Sequence, residues 1–443
     1  MITHELIPLT LPQQRFVDAL ESSPKLRASF SMSVSLTGPL DVAALLTSLH
    51  HLVLRRDALR LAMRRTPAGS WGQWFREAPP LSEVTTCQAV HAPSDDKFSR
   101  YVVKLATRDA ATPWRLDEEY PFRFRLIRRS QGDHVLLLTF AKQAVDGALY
   151  LLLPGDLWSV YHALLAGEPA PGEPGNGFAE ALRRREAGGS PDPAEFWRSR
   201  LARARPCRFP APAAPVAPTT SAAPAAADGE PGPRTFRFSL VGEEAQVLRG
   251  AVRRARCSEL QLVQAALAEA VFERVPDDTL AITLPVDTRR SYERGVLGQF
   301  GVNLPLVLTR PASGAGMVAQ VRHEWLQVLR NRHVTSRTVR RLAPSSTGWL
   351  GADEANNLRL NYLPHTPVAP VGTRGDGALC VAYGRYPPRV LRESAAVHLR
   401  VGSAPDRLDF TLSCAARGGP DEAGVALAAS LERLMRRHAE GCR

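Results

Sequence analysis

Lysine is almost absent from this chain: Lys25, Lys97, Lys104 and Lys142 stand against 52 arginines. A bias that strong reads first as a habit of base composition. Its physical result is a net charge of +12, a positive field that favours acidic partners. Nucleic acid is not supported as one of them, because zinc-finger spacing, an RNP-like aromatic pattern and a compact basic tail are all missing. Cysteine is sparse, and its six residues (Cys87, Cys207, Cys257, Cys380, Cys414, Cys442) include no Cys-x-x-Cys. That excludes the usual zinc and disulfide frameworks, so no metal is expected, and it suits a reducing compartment. No apolar run approaches the roughly 20 residues of a membrane span, and the N-terminus lacks the pattern of a secretory signal. The expectation is a soluble, cytoplasmic protein. There is no Gly-x-Ser-x-Gly elbow for serine-hydrolase chemistry. The Gly-x-x-Gly at 298–301 has the wrong spacing for a dinucleotide site.

What is present is organised around residues 135–147, Val-Leu-Leu-Leu-Thr-Phe-Ala-Lys-Gln-Ala-Val-Asp-Gly. Val135–Phe140 reads as a strand buried on both faces. A short loop follows, and then Leu149, Leu152, Leu153, Leu157, Val160, Tyr161 and Leu164 fall at helical spacing. A buried strand that passes a polar loop to a helix is a favoured place for chemistry. Upstream, Phe30–Leu36 alternates as a strand, and Asp41 precedes a helix striped with Leu45, Leu49, Leu52 and Val53. His50 and His51 on that helix read as packing and surface groups. In Phe122-Arg-Phe-Arg125 one pair of side chains faces inward.

Two short charged helices are split near 188–191. Residues 205–233 are rich in proline and alanine and cannot bury enough apolar surface to offset ordering, which makes them an extended connector. Two domains are expected, 1–204 and 234–443. The second holds a strand at 235–240, helices at 242–255 and 258–275, and a capping box at Ser258-x-x-Gln261. A buried strand from Leu280, a basic amphipathic helix over 318–341, paired strands at 395–401 and 407–414, and a closing helix at 421–439 complete it. The basic face of the 318–341 helix reads as a solvated surface, with carrier docking as the alternative.

These motifs together resemble the condensation domains of nonribosomal peptide synthetases, in the chloramphenicol-acetyltransferase-like superfamily. Residues 141–147 align with the family's His-His-x-x-x-Asp-Gly, and Leu157-x-x-x-Tyr161 continues the match. Pro8-Leu-Thr-Leu-Pro-Gln13 resembles the opening motif, and Arg55-Arg-Asp-Ala-Leu-Arg60 resembles Arg-His-x-x-Leu-Arg. Leu284-Pro-Val-Asp-Thr-Arg289, Gly298-Gln-Phe300 and Asn357-Leu-Arg-Leu-Asn-Tyr362 match later elements. The resemblance implies an α/β fold of two acyltransferase-like lobes in a V, with a tunnel at their junction. It also implies a substrate tethered to the phosphopantetheine of an acyl or peptidyl carrier protein, and no cofactor bound by the protein itself. No second module, adenylation motif or carrier domain is visible, so the expectation is a free-standing unit.

In this register both histidines are gone, replaced by Ala141 and Lys142. Asp146 and Gly147 are kept. The family's pairing of that aspartate with an arginine of the second lobe implies an Asp146–Arg289 bridge across the lobe junction. Gln143, Tyr362 and Asn303 become tunnel-lining candidates, although a gapless match puts Val302 at the family's asparagine. Lys142 has three readings. It is a general base, which requires burial to lower a pKa of about 10.4 by several units. Or it is a charged ammonium that stabilises an oxyanion or holds a carboxylate or pantetheine oxygen. Or it is inert. A lysine in a chain that otherwise selects arginine points towards a small or titratable amine. His365 is the alternative proton carrier. Two functions stay open: an atypical acyl transfer or cyclisation on a carrier-bound intermediate, and a catalytically silent domain that recruits a tailoring oxygenase or a carrier.

Overall fold

The computed structural model describes residues 6–10, 12–14, 16–17, 28–66, 68–172, 177–187, 193–204, 209, 234–311, 316–334, 336–342, 358–364, 379–384, 396–414 and 422–440. The connector 205–233 (apart from Phe209), Asn357 and His365 lie outside them. The chain divides into two compact units. The first is Met1–Ser190 with Thr288–Gly301 and Thr366–Arg389; the second is Pro191–Asp287 with Val302–His365 and Val390–Arg443.

In the first unit, β1 (Ile7–Pro8), β3 (Leu61–Arg65) and β4 (Trp71–Phe75) make a small sheet in the order β1-β4-β3. The main sheet uses β2 (Ser29–Thr37), β5 (Thr85–Ala89), β6 (Phe122–Ser130), β7 (Asp133–Ala141) and β12 (Cys380–Tyr383), in the order β12-β2-β7-β6-β5. Central β7 is covered on both faces, as its continuous apolar run demands. Leu136, Leu138 and Phe140 enter the main core with Leu45, Leu49, Leu153 and Leu157 from the helices Val42–Arg55 and Leu149–Ala166. Val135 and Leu137 enter a second cluster with Phe98, Val102 and Leu105 of the Asp95–Ala111 helix. On β6, Phe122 and Phe124 are buried, while the half-buried Arg123 and Arg125 pair with Glu119 and Asp109. His50 and His51 contact the carbonyls of Pro79 and Pro171.

In the second unit, β8 (Arg234–Val241), β9 (Thr279–Asp287), β10 (Gly301–Thr309), β11 (Leu358–Leu363), β13 (Val397–Ala404) and β14 (Arg407–Cys414) form one sheet, ordered β10-β9-β11-β13-β14-β8. Strand β11 runs parallel to both β9 and β13, while β13-β14-β8 is antiparallel. The Glu259–Phe272 helix is buried almost throughout and starts with the Ser258/Gln261 capping box. The continuous helix expected over 318–341 is instead two, Met317–Arg330 and Ser336–Leu342. The break is held by Asn331, whose side-chain amide donates to the Gln327 carbonyl and whose own carbonyl accepts from Trp197 Nε1 at 2.9 Å. A helix-period pattern cannot show that stop, because the ring that fixes it comes from 134 residues away.

Ser258→Ala removes a cap that receives the Gln261 N–H. The expected loss is about 1 kcal/mol of unfolding free energy, read as a lower urea midpoint; an unmoved midpoint would show that the box contributes nothing.

Candidate active site

The Leu149–Ala166 helix begins just past Asp146 and has no side-chain cap at its own N-cap residue, Ala148. Asp146 supplies what is missing, because its Oδ1 accepts the Ala148 N–H at 3.0 Å. The same oxygen accepts Arg289 Nη2 at 3.0 Å; Oδ2 accepts Arg289 Nη1 at 2.8 Å and the Phe300 N–H at 2.9 Å. All four acceptor positions of the carboxylate are thereby used. Arg289 is equally committed: Nε donates to the Val296 carbonyl, Nη2 also reaches the Gly298 carbonyl, and the guanidinium lies over the Phe300 ring at 4.5 Å. The side chains are 7% and 6% exposed. A bidentate, buried pair with no lone pair to spare fixes shape and leaves no group to move a proton.

Both partners lie within the first unit, which corrects the expectation of a bridge across a lobe junction. Residues Thr288–Gly301 pack as part of that unit. Two more charged anchors explain why. Glu293, fully buried, receives Arg185 Nε at 2.5 Å and Nη2 at 2.7 Å. Arg56 donates to the Gly295 carbonyl at 2.6 Å and pairs with Asp156. Phe178 closes the packing, its ring 5.2 Å from that of Phe300. A Cβ on Gly298 would stand 2.3 Å from the Phe178 ring, so only glycine fits there.

The loop between Ala141 and Asp146 is held by glutamines, which sequence reasoning missed. Gln299 Nε2 donates to the carbonyls of Lys142 (2.5 Å) and Val145 (3.2 Å), while its Oε1 accepts the Gly301 N–H. Gln13 Nε2 donates to the Gln143 carbonyl at 3.0 Å and to Gln73 Oε1 at 2.8 Å. Gln73 in turn donates to the Pro8 carbonyl. All are buried. The only hint in the sequence was that Gln13 and Gln299 fall inside motif-like stretches. Gln143 itself is 1% exposed, and both atoms of its side-chain amide lack a partner among the described residues.

Ala141 is buried at the end of β7. Lys142 is half-buried; its N–H donates to the Ala28 carbonyl, and Nζ lies 5.0 Å from the centre of the Phe30 ring. Phe30 is met edge-on by Tyr150 at 5.9 Å. Burial pushes the Tyr150 hydroxyl up to about 12, and it donates to the Ser31 carbonyl, so it is no base at neutral pH. Gly147 is exposed, with no positive φ and nothing within 4 Å of an added Cβ. Folding alone does not demand glycine there.

Asn303 and Tyr362 belong to the second unit, on β10 and β11. Asn303 is half-buried beside the buried Val302. The Tyr362 hydroxyl donates to Glu259 Oε2 at 2.7 Å, and Ser403 and Arg249 bind the same carboxylate. Burial, with the neighbouring Glu259, raises the Tyr362 pKa further. Burial alone would raise Glu259, but the three donors outweigh it and hold the carboxyl below its usual range. Tyr362 is therefore a tethering group between strand and helix. Among the described residues no group of three His, Cys, Asp or Glu side chains could hold a metal, and no helix is long and apolar enough to cross a membrane.

The fold is thus two mixed α/β units, the first carrying a strand–loop–helix whose aspartate is locked by a returning arginine. The condensation-domain family model matches residues 3–344. This chain belongs to that family, whose members serve nonribosomal peptide and natural-product biosynthesis. It is 32% identical over 210 residues, 45% of its length, to the probable non-canonical nonribosomal peptide synthetase CymA of Salinispora arenicola. It spans only 2–30% of the length of the curated relatives it matches. The first condensation domain of the CDA synthetase superposes with a TM-score of 0.75 at 17% identity, over 98% of this chain and 96% of that one. The X-domain from teicoplanin biosynthesis does so with a TM-score of 0.72 at 22% identity, over 99% and 96%.

Gln299→Leu removes both donors to the loop and orphans the carbonyls of Lys142 and Val145. At about 1–3 kcal/mol for each buried orphan, the unfolding free energy should fall by at least about 2 kcal/mol. Equal urea midpoints for variant and parent would show that the amide does not hold the loop.

Proposed function

We propose that the protein is a binding member of its family: it engages an acyl or peptidyl carrier protein and its tethered chain, and presents that chain to a tailoring enzyme. The observation that carries this reading is the loop itself. Its scaffold, Asp146 with Arg289 and the glutamine clamps, is complete, while the histidine positions hold Ala141 and a Lys142 whose amine lies over Phe30. A cation is attracted by an aromatic face. Kept as an ammonium, Lys142 would donate hydrogen bonds and accept no proton, so among the described residues of the loop no side chain would stand in for an imidazole base. What the loop retains suits binding. Behind the loop, Gln143 holds a buried amide whose donor and acceptor have no partner among the described residues. Beside Gly147 there is open space. The net positive charge favours an acidic carrier. The teicoplanin X-domain has been solved in complex with OxyB, which gives the recruiting reading a fold-level parallel.

One observation favours a second reading. A half-buried lysine stands at the position that aligns with the family's second histidine, and a charged amine there would suit oxyanion stabilisation in an atypical acyl transfer or cyclisation. Here Lys142 would act as a charge and not as a base.

The two readings separate in one experiment. The protein is mixed with a peptidyl carrier protein bearing a loaded pantetheine, and both binding and carrier-bound products are followed, the latter by intact-protein mass spectrometry. The binding reading predicts saturable carrier binding, no new product, and carrier affinity unchanged within a few-fold in Lys142→Ala. A new product that falls about 10²–10³-fold in Lys142→Ala would overturn it in favour of the second.

A further inference from the structure

At the pole of the first unit away from the motif loop, a groove of about 660 Å³ opens between three elements. They are the turn from β2 into the Val42–Arg55 helix, the β6–β7 turn, and the last turns of the Leu149–Ala166 helix. His134 lies seven residues along β7 from Ala141, about 23 Å at a strand's rise. The groove is therefore a separate feature of the unit.

The strand pattern explains why the groove is polar at its base. On β7 the row Leu136, Leu138, Phe140 enters the main core. His134 is the next residue in that row, 2% exposed, with its Nδ1 unpartnered. Its cross-strand neighbour on β6 is Arg128, so the two side chains share a face. Burial, and then the Arg128 charge, hold the imidazole below its ordinary pKa, with Asp133 opposing. On the same hairpin Arg123, Arg125 and Arg129 all find carboxylates. Arg128 has no carboxylate partner among the described residues.

The opposite wall adds to the same polarity. The helix Val42–Arg55 starts at the groove with no acidic residue in its first turn. Its N-cap, Asp41, turns its carboxylate into the helix to accept the Ala44 N–H at 2.9 Å. The Tyr161 hydroxyl accepts the Asp41 N–H at 3.1 Å, which leaves its own proton to be donated. Apolar surface comes from Leu40, Val42 and the exposed Leu165.

We propose that this groove binds a small monocarboxylate with an apolar body, of the fatty-acid or aryl-acid class. The Arg128 guanidinium, without a carboxylate partner among the described residues, and the helix N-terminus receive the carboxylate, with the buried Tyr161 behind them. His134 gains the partner its buried nitrogen lacks, and the tail lies on Leu40, Val42 and Leu165. One cation matches one negative charge, and the nearby Asp41 disfavours a dianion.

Octanoate is the probe, with octanamide as its uncharged counterpart, titrated into the full chain. Affinity is read by calorimetry, and the His134 ring resonances by NMR. The expected result is saturable octanoate binding with a shift of the His134 resonances. Affinity should be at least about tenfold weaker for octanamide and in Arg128→Gln, the variant being checked for an unchanged unfolding midpoint. Failure of octanoate to saturate the parent protein overturns the proposal. So does binding that Arg128→Gln leaves unchanged, which would make it an adventitious apolar contact only.

Discussion

The first unit depends on one carboxylate that must not be left alone. Asp146 is buried at the start of a helix, and its nearest opposite charge lies 143 residues further along the chain. A buried carboxylate without a partner costs several kcal/mol, which forces the returning segment to stay. The fully buried Glu293 with Arg185, and Arg56 on the Gly295 carbonyl, apply the same constraint twice more along the same segment. Once the segment is in place it brings Phe300 against Phe178 and Gln299 against the loop. The loop geometry is thus set by residues that are not in the loop. That is why it can keep its form while the chemistry at its first two positions changes completely.

This division bears directly on function. Chemistry that needs a base asks for a particular side chain, whereas binding asks for shape and unused hydrogen-bonding groups. On the proposed reading, Ala141 and Lys142 give up the first requirement. Asp146, Arg289 and the glutamine clamps preserve the second, and behind them Gln143 holds a buried amide with no partner among the described residues. A fold supports many activities, so the family alone decides none of this; the side chains on the loop do.

Much of the architecture was legible in the chain because it rests on local periodicity. The buried run of β7, the stripe of the Val42–Arg55 helix and the Ser258 capping box each depend on residues within a few positions of one another. The Asp146–Arg289 pair was legible for another reason: both residues sit in motif-like stretches whose matches fix their register. Contacts between chain-distant polar groups were not legible. Gln13, Gln73 and Gln299 follow no period, and their roles appear only when segments 60 to 157 residues apart are brought together. The break after Arg330 and the return of β12 to pair with β2 were hidden in the same way.

The most direct test of the claim that charge pairing holds the loop is a double-mutant cycle on Asp146→Ala and Arg289→Ala, followed by urea unfolding. The account predicts strong coupling, about 2–3 kcal/mol, with the double variant losing much less than the sum of the two singles. Additive losses, with a coupling below about 0.5 kcal/mol, would contradict it, because the carboxylate would then be held by something other than that guanidinium.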